Sequence, residues 1–302
     1  MSVPVRLAIF AAGLLAAFAA AWGAGTAVSP ILTEPVPSHP MGQDVAAHGA
    51  EHQDEAGAVP GVPGGPGVPG GLGASAGGYT LDLDDDRVAA GPRTMSFTIT
   101  ADGGEALTDY EVEHGKRLHL IAVRRDFTGY QHIHPTMSPG GVWFADLNLS
   151  PGIWRVFADF VPFDGEALTL GTDLVVPGRG SVAPAAPEDR TRVVAGYTVE
   201  LLGHLRAGSD SLVRLRVTRD GEPVTDLEPY LGSFGHLVAL RAGDLAYLHV
   251  HPEEGGPGPE VPFVAEVPSA GDFHLYFDFQ HAGVVRTAQF RVTAEGDQHD
   301  DD

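Results

Sequence analysis

The chain has no cysteine. That removes disulfides, thiolate metal centres, cysteine nucleophiles and a lipid-modified N-terminal cysteine, and with them a blue-copper electron carrier, which needs a Cys ligand. Basic residues are scarce, with 18 Lys and Arg against 40 Asp and Glu and a formal net charge of -22. Nucleic acid and anionic lipid both require a basic face, so neither is an expected partner. Helical periodicity is missing from everything after the N-terminal segment, as are serine-hydrolase, phosphate-loop and glycosidase patterns. A non-catalytic binding protein is therefore expected rather than an enzyme.

One long apolar run is present, Leu7 to Ala24, preceded by Arg6 and followed by small residues. It reads as an export segment, either a signal peptide cleaved near Ala21 or Ala27 or a single membrane anchor, over residues 1–28. The rest of the chain is then extracytoplasmic, secreted or held to the membrane by this segment only. Residues 29–77 are rich in Gly, Pro and Ala and carry His39, Met41, His48 and His52. This composition cannot build a core and predicts a disordered tether.

The hexapeptides "YQHIHP" (130–135) and "YLHVHP" (247–252) lie 117 residues apart. At that offset Thr108-Asp109, His119, Leu120, Ala122 and Arg124 align with Thr225-Asp226, His236, Leu237, Ala239 and Arg241. Beyond a loop two residues longer in the second copy, "GIWRVFADF" (152–160) meets "GDFHLYFDF" (271–279), and "GYTLDL" at 78 has its partner in "GYTVEL" at 196. The chain is thus a tandem duplication: repeat 1 over 78–178, a linker over 179–195, repeat 2 over 196–293 and an acidic tail over 294–302. Short β-branched and alternating runs broken by Gly, Pro and Asp predict an all-β fold, two tandem antiparallel sandwiches of immunoglobulin-like or cupredoxin-like build.

Strand geometry gives the repeated histidines a use. If "RDFTG" is the turn of a hairpin, His119 lies across from His134, and His132 shares their face. The same reading of repeat 2 groups His236, His249 and His251. A one-residue slip would split either trio. Three neutral imidazoles suit copper, with zinc as the alternative. Affinity is then expected to fall as pH drops through about 6, where free imidazole protonates. Asp159 and Asp278 could orient such ligands, or could pair with Arg124 and Arg241. His281 and Met137 are candidate extra ligands, and the competing expectation is a surface interaction protein whose histidines only pack.

The stretches "HLIAVRRDFTGYQHIHPTM", "RVFADF", "LTLGTDLVVPG", "PYLGSFGHLVALRAGDLAYLHVHPE" and "DFQHAGVVRTAQF" carry a family likeness. Over residues 78–293 the chain resembles actinobacterial exported tandem β-sandwich proteins, and more loosely YtkA-like and cupredoxin-like copper-handling modules. The resemblance implies extracytoplasmic heavy-metal handling, with a membrane or secreted metal-handling protein as partner.

Overall fold

The computed structural model describes residues 69–180 and 188–296. The export segment and the tether up to residue 68, the middle of the linker and the end of the tail lie outside them. Among the described residues no helix is long and apolar enough to cross a membrane.

Repeat 1 comprises β1 (Ser75–Ala76), β2 (Tyr79–Leu83), β3 (Gly91–Ala101), β4 (His119–Arg124), β5 (Gln131–Ile133), β6 (Thr136–Met137), β7 (Val142–Leu149), β8 (Gly152–Phe160) and β9 (Leu168–Val176). Repeat 2 follows with β10 (Thr191–Val194), β11 (Tyr197–Leu202), β12 (Ser209–Arg219), β13 (Glu222–Pro223), β14 (His236–Arg241), β15 (Tyr247–Leu248), β16 (Val250–Pro252), β17 (Glu260–Val267), β18 (Gly271–His281) and β19 (Val284–Ala294). Each repeat is an antiparallel sandwich. An outer sheet, β1-β2-β3-β7-β6 or β10-β11-β12-β17-β16 with β13 beside β12, covers an inner one, β5-β4-β8-β9 or β15-β14-β18-β19.

The outer strands alternate. In β7, Trp143, Ala145, Leu147 and Leu149 are buried while Phe144, Asp146 and Asn148 are exposed. One face of that sheet meets the core and the other meets water. The inner strands do not alternate, and "HLIAV" of β4 and "FHLYFDF" of β18 are buried throughout. Their second faces pack on each other. Leu120 and Ala122 enter the core of repeat 1, whereas Ile121, Val123 and Phe157 meet Val238, Leu240, Leu245 and Tyr276 of repeat 2 in a separate core. The layers therefore run outer, inner, inner, outer.

The inner faces meet about an approximate two-fold axis. Tyr130 stacks on Tyr276 with centroids 4.0 Å apart, and the counterpart pair, Tyr247 and Phe157, lies at 5.5 Å. Tyr276 also donates a hydrogen bond to the Phe127 carbonyl across the joint.

Ordered structure reaches into segments read from composition as tether and linker. Gly70 bridges to Tyr247, Arg155 donates to the carbonyls of Gly71 and Leu72, and β1 lies at Ser75–Ala76. The close approach is possible because residue 171 is glycine: a Cβ there would sit 2.1 Å from the Gly71 carbonyl oxygen. Likewise β10, at Thr191–Val194, pairs with β11 inside the expected linker. Backbone hydrogen bonds, to which composition is blind, hold both stretches.

Each repeat has a core of its own, so each is expected to fold when expressed alone. The uncovered Ile121, Val123 and Phe157 face should then make isolated repeat 1 self-associate, while an Ile121→Asp/Val123→Asp form stays monomeric. Sedimentation checks this; a strictly monomeric, unmodified repeat 1 would contradict it.

Candidate metal centre

The β4–β5 hairpin has the expected register. Leu120 pairs with Ile133, Ile121 with His132 and Ala122 with Gln131, and the Arg124 N–H bonds the Thr128 carbonyl at 2.9 Å to close the turn. Continued by one pair, this sets His119 opposite His134. The histidines share the face of Ile121 and Val123, which is the joint between the repeats. Ligand atoms of His119, His132 and His134 all lie within 4.8 Å of one another.

The expected second trio is not assembled. Leu248 still pairs with Ala239 on the inner sheet, but from Val250 the chain joins the outer sheet, where Val250 pairs with Ala265 and His251 with Val264. His249 and His251 leave His236 and meet Glu266 instead. The two hexapeptides differ at their second and fourth residues, Gln131 and Ile133 against Leu248 and Val250, and the first of these differences matches the divergence. In repeat 1 the Gln131 side-chain amide spans the gap to the outer sheet, accepting from Asn148 N–H at 2.8 Å and donating to its carbonyl at 3.0 Å. Leu248 has no amide, and the His249 carbonyl accepts the Glu266 N–H at 3.1 Å in its place. Backbone groups must be satisfied somewhere, so the strand moves across.

His236 joins the first trio, with ring centroids 5.7 Å from both His119 and His132. His114, for which the sequence suggested no role, completes the group at 5.0 Å from His236. It sits at the tip of a two-residue hairpin closed by Glu113 and Lys116, with positive φ at both His114 and Gly115. "HG" between strand-like residues is a legible signal for such a turn. Nothing local to it points toward His236.

The ring protons can be placed from the partners. His132 Nδ1 lies 2.9 Å from Asp278 Oδ2, and that carboxylate also accepts from the hydroxyls of Tyr130 and Thr287. A carboxylate so engaged takes the Nδ1–H and leaves Nε2 a bare lone pair. His119 Nε2 faces the Glu113 carbonyl at 3.4 Å, which can only accept: with its proton on Nε2, His119 Nδ1 is a lone pair too, and with its proton on Nδ1 it donates to His132 Nε2. His119 Nδ1 and His132 Nε2 are 3.1 Å apart. Two imidazole nitrogens on one ion, each at about 2.05 Å, lie about 2.9 Å apart at a right angle and about 3.3 Å apart at the tetrahedral angle. His134 Nε2 and His236 Nε2 are buried with no hydrogen-bond partner.

Burial, first of all, pushes His119 down to about 4, His134 to about 3 and His236 lower still, with neighbouring imidazoles adding to the effect. The rings are therefore neutral well below pH 6, the range suggested by free imidazole. Asp159, half-buried across from His119 on β8, is held above the usual carboxylate range by desolvation and accepts from Thr169 at 2.8 Å.

Asp278 is thus the orienting carboxylate, and it comes from the opposite repeat. Arg124 and Arg241 pair instead with Asp126 and Asp244, each within its own turn. His281 is remote from the cluster, held by Tyr197 Oη at 2.7 Å and Asp226 at 3.1 Å. Met137 packs against the core of repeat 1.

No curated protein matches the chain. Among solved structures, a DUF4426 family protein from Pseudomonas aeruginosa is 9% identical over 35% of this chain and 96% of its own, at a TM-score of 0.26. The Escherichia coli adhesin FdeC is 15% identical over 74% of this chain and 65% of its own (TM-score 0.24), and the Yersinia pseudotuberculosis adhesin InvE 11% identical over 72% and 59% (TM-score 0.23). The chain thus spans less than two thirds of either adhesin chain. These likenesses concern β architecture alone. Residues 74–178 and 192–296 each match a domain of unknown function, DUF8832. The chain belongs to the DUF8832 family and carries its domain twice in tandem.

Proposed function

We propose that the protein is a non-enzymatic, extracytoplasmic metal-binding protein that holds Cu(II), with Zn(II) as the alternative, at the joint between its repeats. His119, His132 and His134 of repeat 1 bind the ion, and His236 of repeat 2 closes the site. The observation that carries this reading is the 3.1 Å approach of His119 Nδ1 to His132 Nε2, while the other ring nitrogens face the Glu113 carbonyl and the Asp278 carboxylate. With the ring protons on those outward nitrogens, two lone pairs face each other in a buried site and repel unless a cation lies between them. An all-imidazole set favours copper over zinc in the general affinity order. Arg6 and the apolar run Leu7 to Ala24 support the extracytoplasmic part of this reading.

The second reading is a surface interaction protein in which a proton takes the ion's place. His132 as an imidazolium would donate to both Asp278 and His119, and the cluster would be a packing device. This reading is favoured by the continuity of the chain from Thr287 through Asp278 and His132 to His119.

Titration of the full chain with Cu(II), beside a His119→Ala/His134→Ala variant, separates the two. The parent is expected to bind one more ion than the variant. Bound metal should stabilise the fold by about 2.7 kcal/mol at a free concentration 100 times the dissociation constant. Equal stoichiometry and an equal copper-induced rise in Tm would put the interaction reading first.

A further inference from the structure

The strand crossover that removes His249 and His251 from the buried cluster places them somewhere definite. His251 lies on the edge strand β16, His249 stands just before that strand and two residues from His251, and Glu266 of β17 lies opposite His249 through the bond from its own N–H to the His249 carbonyl. The two rings are nearly perpendicular, at 87°, with centroids 4.1 Å apart. His251 Nε2 lies 3.5 Å from Glu266 Oε1. Ligand atoms of all three fall within 4.8 Å of one another.

We infer that His249, His251 and Glu266 form a second metal site, open to solvent, for a late first-row divalent ion such as Cu(II) or Zn(II). Two imidazoles and a carboxylate leave a coordination position to water, whereas the buried group is all nitrogen and closed. A surface ion pair between His251 and Glu266 accounts for those two side chains but not for the ring of His249. His251 is held by its pairing with Val264, and the His249 backbone by the bond from Glu266 N–H, so backbone bonds preset all three donors. With side-chain exposures of 51% for His251 and 56% for Glu266, bound ions exchange with solvent readily.

The two groups share a cavity. A space of about 480 Å³ between the repeats is lined by His119, His132 and His236 at its buried end and by His249 and His251 at its exposed end, with Asp159 also on its wall. The open site does not depend on occupancy of the buried one.

The test uses the full chain with His39, His48, His52 and His299 changed to alanine, so that these four do not contribute. Cu(II) is titrated by calorimetry, with paramagnetic resonance reporting the donor atoms. In a form that also carries His119→Ala/His134→Ala, one ion with mixed nitrogen and oxygen ligation is expected to remain. It should vanish on adding His251→Ala and lose affinity at least tenfold on adding Glu266→Gln. Both changes are on exposed side chains and leave the circular dichroism unchanged. If these two variants titrate like their parent, the site does not exist, whatever the buried cluster does. Failure of the earlier proposal shows differently: His119→Ala/His134→Ala would then remove no ion while His251→Ala removes one.

Discussion

Exchange of Asp278 for alanine is expected to weaken Cu(II) at the buried cluster by about 10- to 100-fold, although Asp278 touches no ion itself. Its carboxylate fixes the tautomer and the ring plane of His132, and without it Nε2 no longer points at His119 as a free lone pair. The same change leaves the Tyr130 and Thr287 hydroxyls and the His132 N–H without their acceptor. Each buried donor so stranded costs about 1–3 kcal/mol, so the metal-free protein should also melt several degrees lower. Asp278→Asn separates the two effects. It keeps an oxygen acceptor and much of the stability, and loses the charge that holds the His132 proton. Competition titration against a chelator of known affinity gives the first effect and calorimetry the second. Unchanged affinity in the Asn variant would remove Asp278 from the site.

Acid should destabilise the metal-free protein steeply. His119 and His274 are held near 4 and His134 near 3, chiefly by burial, and His236 lies lower still. His274 is stacked on Phe127 across the joint, with centroids 3.8 Å apart. In the unfolded chain all four titrate near 6.5. As pH falls through that value the unfolded state takes up protons that the folded state refuses, so the stabilising contribution, complete above about 6.5, is lost progressively toward 4. Asp159, with its raised pKa, acts in the opposite direction and offsets part of the loss. One buried imidazole held about two units low corresponds to about 2.7 kcal/mol. Calorimetry in the presence of EDTA from about pH 7.5 to 4.5 should show a falling Tm. A flat profile would mean that these rings protonate without leaving the fold.

Much of this molecule can be read before folding it. Two hexapeptides at a fixed offset reveal the duplication, alternation in "VWFADLNL" marks an outer strand, and the short turn between Arg124 and Gly129 sets the hairpin that brings His119 to His134. The illegible parts are those decided at a distance. β4 is apolar on both faces, so nothing in its residues says which face meets the other repeat. His132 and Asp278 are 146 positions apart. The fate of the second trio hangs on Leu248 where repeat 1 has Gln131, a difference that looks conservative in a strand until one asks which group answers the backbone of the next sheet. His114 is placed by a turn that the sequence announces, against a partner, His236, that it does not.

Fusing two copies into one chain also changes how the buried cluster responds to dilution. In a pair of separate subunits, His132 from one and Asp278 and His236 from the other would part company as concentration fell, and the site would empty by dissociation. Here both halves are tethered, so the second half is present at an effective concentration fixed by the linker, of order millimolar for short flexible ones, however thinly the protein is spread. The covalent link also frees the halves from having to be alike. A symmetric dimer must build every feature twice, whereas this chain has built one enclosed cluster and one open edge from the same starting hexapeptide.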